Sequence, residues 1–150
     1  MTAQRAADTA RIVVGVDGSD SARAALAWAV RQAALTGAIV DAVTAWQIPA
    51  SYGWVLVDEG PDLEGLAVTM LKKAIDEAAS LAPDVEIRPC VAQENAARAL
   101  LDAAKGADLL VVGSRGHAGF AEALLGSVGQ YCVHHADCPV VIVRAPHTHK

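Results

Sequence analysis

Short apolar runs alternate along this chain with longer segments whose apolar residues recur at helical spacing. The runs predict strands over residues 11–16, 38–46, 85–91, 108–112 and 139–143, and the segments between them predict helices over 22–35, 62–81, 95–104 and 127–135. Strands that are joined through helices run parallel, and unbroken apolar strands such as Ile12-Val13-Val14 are expected where both faces of a sheet are buried. The sequence therefore predicts an α/β fold, a three-layer α/β/α sandwich around a five-stranded parallel sheet.

The first two helices carry the clearest local signals. A tight turn at Asp17-Gly18-Ser19 predicts an N-cap at Ser19 or Ser21, and Gly37 follows the first helix where a C-terminal glycine is favoured. The expected buried positions of the first helix are Ala25, Leu26, Ala29, Val30 and Ala33. Those of the second helix, which is expected to end before Pro83, are Leu63, Leu66, Met70, Ala74, Ala78 and Leu81.

The composition disfavours several classes of protein. Hydrophobic residues make up 53% of the 150 residues but aromatic residues only 4%, so the core must consist mainly of aliphatic side chains. The longest apolar runs are far shorter than the roughly 18 residues of a membrane span. A net charge of −5 without a basic cluster disfavours nucleic acid as a partner. We expect one cytoplasmic domain over residues 11–145, with flexible segments at 1–10 and 146–150.

Two glycine-containing loops follow strands at what should be the same edge of the sheet. The first predicted strand ends in Gly15-Val16-Asp17-Gly18-Ser19. The fourth ends in Gly113-Ser114-Arg115-Gly116, and nine residues later Gly126-Ser127 begins a helix. Ligands of open parallel sheets bind beyond the carboxyl ends of the strands, where the strand order reverses. The two loops together predict a ligand pocket.

The second loop contains residue types that bind phosphate. Glycine lets a backbone approach an anion closely, so Gly113, Gly116 and Gly126 can direct N–H groups at phosphate oxygens. Ser127 adds a hydroxyl at the positive end of the following helix. Arg115 either pairs with a phosphate or lies on the surface. Neither loop has the pattern of a P-loop or of a dinucleotide-binding fingerprint, which disfavours both classes of protein.

The spacing of this second loop resembles that of the universal stress protein family. Its ATP-binding members carry glycine, two residues, glycine, nine residues, glycine and then serine or threonine, a spacing that Gly113, Gly116, Gly126 and Ser127 match. The resemblance extends to residues 14–19, to Gly119-Phe120 and to 138–140, and it covers most of the chain from 11 to 144. The resemblance implies an adenine-nucleotide-binding protein that takes ATP with Mg²⁺ and acts as a regulator of stress or dormancy responses.

The resemblance also implies a role for individual residues. Asp17 would lie beside the ribose and adenine, Gly15 close to the nucleotide, and the backbone around Ala45 at the adenine edge. The residues that would surround the phosphates are Gly113, Ser114, Arg115, Gly116, Gly126, Ser127 and Val128. The family implies the strand order 3-2-1-4-5 and a homodimer joined through the fifth strand, Val140 to Val143, which would otherwise be an exposed apolar edge.

Simpler interpretations of these residues remain open. Asp17 can be a turn residue only, and the connection over 47–61, with Tyr52 and Trp54, can close over the nucleotide or fill a gap in packing. Adjacent histidines on a helix project to different sides, so His134 and His135 are expected on the surface rather than at a metal. The three cysteines, Cys90, Cys132 and Cys138, are expected to be reduced and mostly buried.

Three further functions compete with nucleotide-dependent regulation. The chain can be a slow ATPase or another adenine-nucleotide-processing enzyme, for which Asp17, Arg115, His117 and Glu122 are the available groups but have no recognisable catalytic spacing. It can be a dimeric scaffold that binds no nucleotide, although the intact glycines argue against that. Flavin binding on a similar sheet is a fourth and weaker alternative.

Overall fold

Strands and helices alternate along the chain, as the sequence predicted. The structure is a computed structural model, and it describes residues 9–48, 62–114 and 125–145. In chain order its elements are β1 (Arg11–Gly15), α1 (Asp20–Thr36), β2 (Ile39–Trp46), α2 (Leu63–Ala79), β3 (Ile87–Gln93), α3 (Ala96–Ala103), β4 (Leu109–Gly113), α4 (Ser127–His135) and β5 (Val140–Val143). The predicted flexible ends at 1–10 and 146–150 fall almost wholly outside the described residues and stay predictions.

The five strands form one parallel sheet in the order β3-β2-β1-β4-β5. Neighbouring residues on a strand point to opposite faces of the sheet. On β1, Val14 therefore belongs to one core cluster, with Leu26, and Val13 belongs to another, with Leu100 and Cys132. The first cluster packs α1 and α2 against the sheet, and the second packs α3 and α4 against the other face. The predicted three-layer sandwich and strand order are confirmed.

Local capping explains where the helices begin and end. The Ser19 hydroxyl accepts a hydrogen bond from the N–H of Ala22 and caps α1. Gly37 ends the helix in the left-handed conformation, with φ of 78°. Asp62 and Asn95 cap α2 and α3 through their side chains in the same way. The five buried positions predicted for α1 are all in the core.

The prediction for α2 was only partly right. Ala78 is buried and Met70 and Ala74 pack against the core, as predicted. Leu66 and Leu81 instead expose 62% and 51% of their surface, and Ala67 and Leu71 are buried in their place. A second apolar stripe on the same helix is rotated only slightly from the first, and only packing against the sheet selects between them. Leu81 also lies beyond the helix, which ends at Ala79.

The start of β3 was also predicted too early. The N–H of Val85 donates to the carbonyl of Ala82, which holds Val85 in the turn that follows α2. The strand therefore starts at Ile87 and extends to Gln93. None of the helices within the described ranges is long and apolar enough to cross a membrane.

Candidate functional site

β1 and β4 are neighbouring strands at the centre of the sheet, and a fold of this class is expected to have its binding crevice beyond their carboxyl ends. The chain leaves β1 through α1 on one face of the sheet and leaves β4 toward α4 on the other face. Strand order reverses at this point, which makes it the expected binding position in a fold of this class. Both glycine-containing loops predicted from the sequence start here.

The end of β1 is held by hydrogen bonds to β2. The N–H of Val16 donates to the carbonyl of Val43 over 2.8 Å, and the buried hydroxyl of Thr44 donates to the carbonyl of Val16 over 2.8 Å. Asp17 then accepts two hydrogen bonds through Oδ1, from the N–H of Ser19 at 2.9 Å and from its hydroxyl at 2.6 Å. Asp17 is therefore a turn residue in this structure, and its exposed carboxylate lies at the rim of the crevice.

The glycines that end β1 and β4 are needed for helix packing. A Cβ on Gly113 would lie 2.7 Å from the carbonyl carbon of Ser21 and 2.9 Å from the nitrogen of Ala22. A Cβ on Gly15 would lie 3.0 Å from Cδ1 of Leu100. The sequence predicts that both glycines lie close to a ligand. The structure shows that they let the first turn of α1, and the Leu100 side chain from α3, pack against the strand ends.

The loop after β4 returns to the point where it left the sheet. The N–H of Ser114 donates to the carbonyl of Val143 over 2.8 Å, and the N–H of Gly126 donates to the carbonyl of Ser114 over 2.8 Å. The N–H of Gly126 is therefore bonded to the backbone in this structure, and the assignment of Gly126 to the phosphate site stays a prediction. Arg115 and Gly116 lie outside the described residues.

The amino terminus of α4 faces the same region. Gly126 is the N-cap residue of α4, and no side chain caps the helix there. Ser127 is the first helical residue and is exposed. The N–H groups of Ser127 and Val128 precede the first intrahelical bond, which the N–H of Gln130 makes to Gly126. These two N–H groups and the Ser127 hydroxyl provide hydrogen-bond donors at the positive end of a helix dipole.

Ala45 lies near the carboxyl end of β2, next to β1 in the sheet. Gly15 pairs with Val43, so Ala45 is two residues beyond the last paired residue of β1. Its own partner in β3 is Ala92. The backbone at Ala45 thus lies at the crevice rim, on the β2 side, where the family resemblance places the adenine edge.

A charged cluster that the sequence analysis missed lies in the opposite half of the sheet. Asp41 on β2 is 8% exposed and accepts hydrogen bonds from Arg11 at 2.9 Å and from Arg88 at 2.7 and 3.1 Å. Burial alone would raise the pKa of Asp41, but hydrogen bonds from Arg88 and Arg11, together with their charges, lower the pKa below its usual value. Arg11 also donates to the carbonyls of Ala103 and Lys105 at the end of α3. The sequence feature that could have indicated this cluster is Asp41 itself, a lone carboxylate inside an apolar strand.

The histidines of α4 lie on the surface, and the cysteines of the described segments are free thiols. His134 and His135 are exposed on α4, as predicted, and no group of three or more potential ligands lies close enough to hold a metal within those segments. All three cysteines are free thiols, of which only Cys132 is fully buried. Burial raises the pKa of the Cys132 thiol to about 11, which keeps it protonated and unreactive near neutral pH.

Known proteins resemble the chain over most of its length. The universal stress protein Rv2623 of Mycobacterium tuberculosis is 33% identical over 135 residues, which is 90% of this chain and 45% of that protein. This chain spans about half the length of the curated relatives it matches.

Two solved structures extend this likeness to the fold. The universal stress protein UspA from Lactobacillus plantarum has a TM-score of 0.75 and 26% identity, over 90% of this chain and 97% of that one. A universal stress protein solved in complex with cAMP has a TM-score of 0.65 and 33% identity, over 92% of this chain and 98% of that one. The model of the universal stress protein family matches residues 9–144, and the chain belongs to that family.

Proposed function

We propose that this chain binds an adenine nucleotide, with ATP as its ligand, in the crevice between β1 and β4. The observation that carries the proposal is the family's glycine spacing on the β4–α4 loop, at the topological switch point of the sheet. The relative that was solved with cAMP supports an adenine nucleotide, since this chain is 33% identical to it and covers 98% of it.

The phosphates are assigned to the ends of the β4–α4 loop. Since the N–H of Gly126 is bonded to Ser114, the donors from α4 are the N–H groups of Ser127 and Val128 and the Ser127 hydroxyl. The remaining residues proposed around the phosphates are Gly113, Ser114, Arg115, Gly116 and Gly126. The ribose and adenine are assigned to Asp17, Gly15 and the backbone at Ala45.

Mg²⁺ fits this arrangement as an ion held mainly by the nucleotide. Asp17 offers an exposed carboxylate at the rim, and one of its oxygens already accepts two hydrogen bonds from Ser19. A hard cation that keeps several waters and takes phosphate oxygens needs only one or two protein carboxylates. When bound, the ion would neutralise phosphate charge beside Asp17.

A homodimer through β5 completes the proposal. β5 is an edge strand with the sequence Val140-Val-Ile-Val143, and all four of its residues are partly exposed. The opposite edge, β3, carries Arg88 and Pro89, which protect an edge from pairing. An edge without proline or charge is suited to pairing with a second copy.

The proposed regulatory role comes from the family resemblance, and binding energy supplies its physical basis. A nucleotide that binds only the folded protein stabilises it, and one that binds two states differently shifts their populations. We propose that the ATP-bound state engages partner proteins in stress or dormancy responses.

Calorimetric titration of the full chain with ATP, AMP and cAMP, with and without Mg²⁺, tests the binding proposal. We expect saturable binding of ATP that Mg²⁺ strengthens. Chromatography of the nucleotide after incubation distinguishes a regulator, which returns ATP intact, from a slow ATPase. Absence of saturable binding for all three nucleotides would refute the proposal and favour a dimeric scaffold.

A further inference from the structure

A groove of about 730 Å³ opens at the amino ends of β2 and β3, at the opposite end of the sheet from the nucleotide crevice. One wall is the last turn of α1 with Gly37, and the other is the connection from α2 to β3, which includes Pro83 and Val85. Ala33 and Ala38, which are 1% and 5% exposed, form part of its apolar floor. Alanine and glycine make up much of the lining, so few large side chains fill the groove.

Two exposed leucines are sequence neighbours of residues that line the groove. Leu35 exposes 82% of its surface and directly follows the lining residue Ala34. Leu81 exposes 51% and directly precedes the lining residue Ala82. A small ion or metabolite held in the groove would leave both leucines in water, whereas an extended chain would cover them.

The groove is also negatively charged. Asp84 and Glu86 line it and are exposed, and no lysine or arginine is among its lining residues. The last turn of α1 has no basic residue, so the negative end of the helix dipole is uncompensated there. Arg88 follows Glu86 by two residues. The main cause of its raised pKa is its hydrogen bond to Asp41, and the charge of Glu86 is a smaller cause. The guanidinium of Arg88 is thus directed to Asp41.

We propose that this groove is a docking site for a partner protein, through a segment that combines lysine or arginine with leucine-like side chains. The basic groups would pair with Asp84, Glu86 and the last carbonyls of α1. The apolar side chains would cover Leu35, Leu81 and the alanine floor. The proposal is independent of the proposed nucleotide site, which is assigned to the other end of the sheet.

The test titrates the isotope-labelled full chain with a short peptide of lysine, leucine and alanine, followed by amide NMR shifts. A second peptide has glutamate in place of each lysine. We expect saturable shifts at Gly37, Ala38 and Val85 with the basic peptide only, weakening as salt rises. Asp84→Asn with Glu86→Gln should reduce the affinity about fivefold. Leu35→Ser, a change at an exposed position, should reduce it as well.

The matched control is Asp76→Asn with Glu64→Gln, which changes the net charge equally at two exposed positions of α2. Unchanged affinity in this control supports docking in the groove. An equal loss in both double variants would show nonspecific charge attraction and overturn the proposal. Shifts confined to other regions, equal binding of the acidic peptide, or no saturable binding would overturn it too.

Discussion

Gly113 lies so close to the first turn of α1 that any side chain there displaces backbone. Gly113→Ala should lower the free energy of unfolding by about 2 kcal/mol, because the added Cβ meets the backbone of Ser21 and Ala22 at 2.7 and 2.9 Å. Gly15→Ala should cost about 1 kcal/mol or less, because it meets only the flexible end of Leu100. Urea unfolding of both variants measures the difference. Equal losses would show that the glycines do not differ in packing.

The glycine spacing predicted the position of the loop but not its contacts. It located the loop ends, since Gly113, Ser114, Gly126 and Ser127 do lie together at the carboxyl end of β4. It could not predict that Gly113 contacts α1 or that the N–H of Gly126 bonds to Ser114. Those contacts depend on how a helix from another part of the chain packs and how the loop closes.

Asp41 on β2 links three adjacent strands, since its arginine partners lie on β1 and β3. Asp41→Asn should lower the free energy of unfolding at neutral pH by about 2 kcal/mol, because two arginines lose their shared charge partner. Burial by itself raises the pKa of Asp41, but Arg88 and Arg11 lower the pKa overall. Its stabilising effect is therefore complete above the unfolded pKa of about 4 and is lost as the pH falls through the folded value.

Urea unfolding of the wild type and of Asp41→Asn from pH 7 down to about pH 2 measures this effect. The difference between the two proteins should shrink below about pH 4. A difference that stays constant across this range would contradict a charge-based role for Asp41. Asp76→Asn, at an exposed position of α2, is the control that removes a carboxylate without a buried partner.

The elements that sequence patterns predicted best are those with local signals. Ser19 and Gly37 fix the ends of α1, and a single apolar stripe fixes its buried face. α2 offers two adjacent stripes and β3 only weak alternation, so tertiary packing determined which side of α2 is buried and where β3 starts. Asp41, Arg11 and Arg88 are far apart in sequence, and no local pattern links them.

For the whole molecule, the two edges of the sheet predict how copies associate. Leu110 of β4 donates to the carbonyl of Pro139, and Ser114, which follows β4, donates to that of Val143. By alternation along the parallel pair, the backbone groups of Val140 face outward, away from β4. Val140→Pro should therefore remove an outward N–H that the proposed dimer needs, without breaking a bond to β4. Sedimentation should show a dimer of the 15.5 kDa chain for the wild type and a monomer for this variant.

Val91→Pro is the matched control on the opposite edge. β2 and β3 are bonded through Glu86 and Glu94, so by alternation Val91 also has an outward N–H. This variant should remain a dimer. A monomeric wild type, or a dimer that Val140→Pro leaves intact, would contradict pairing through β5. The strand order that creates these edges came from the family resemblance, because residue patterns predicted a parallel sheet but not its order.

The most direct test of nucleotide binding at the β1–β4 crevice is calorimetric titration of ATP and Mg²⁺ into Ser127→Asp. Ser127 is exposed at the first position of α4, where a carboxylate is compatible with the helix dipole, so the fold should persist. The charge of the new carboxylate should repel phosphates and weaken ATP binding about tenfold or more. The control is Ser80→Asp, at an exposed position after α2, which should bind ATP like the wild type. Equal affinity of Ser127→Asp and the wild type would show that the phosphates do not bind at the start of α4.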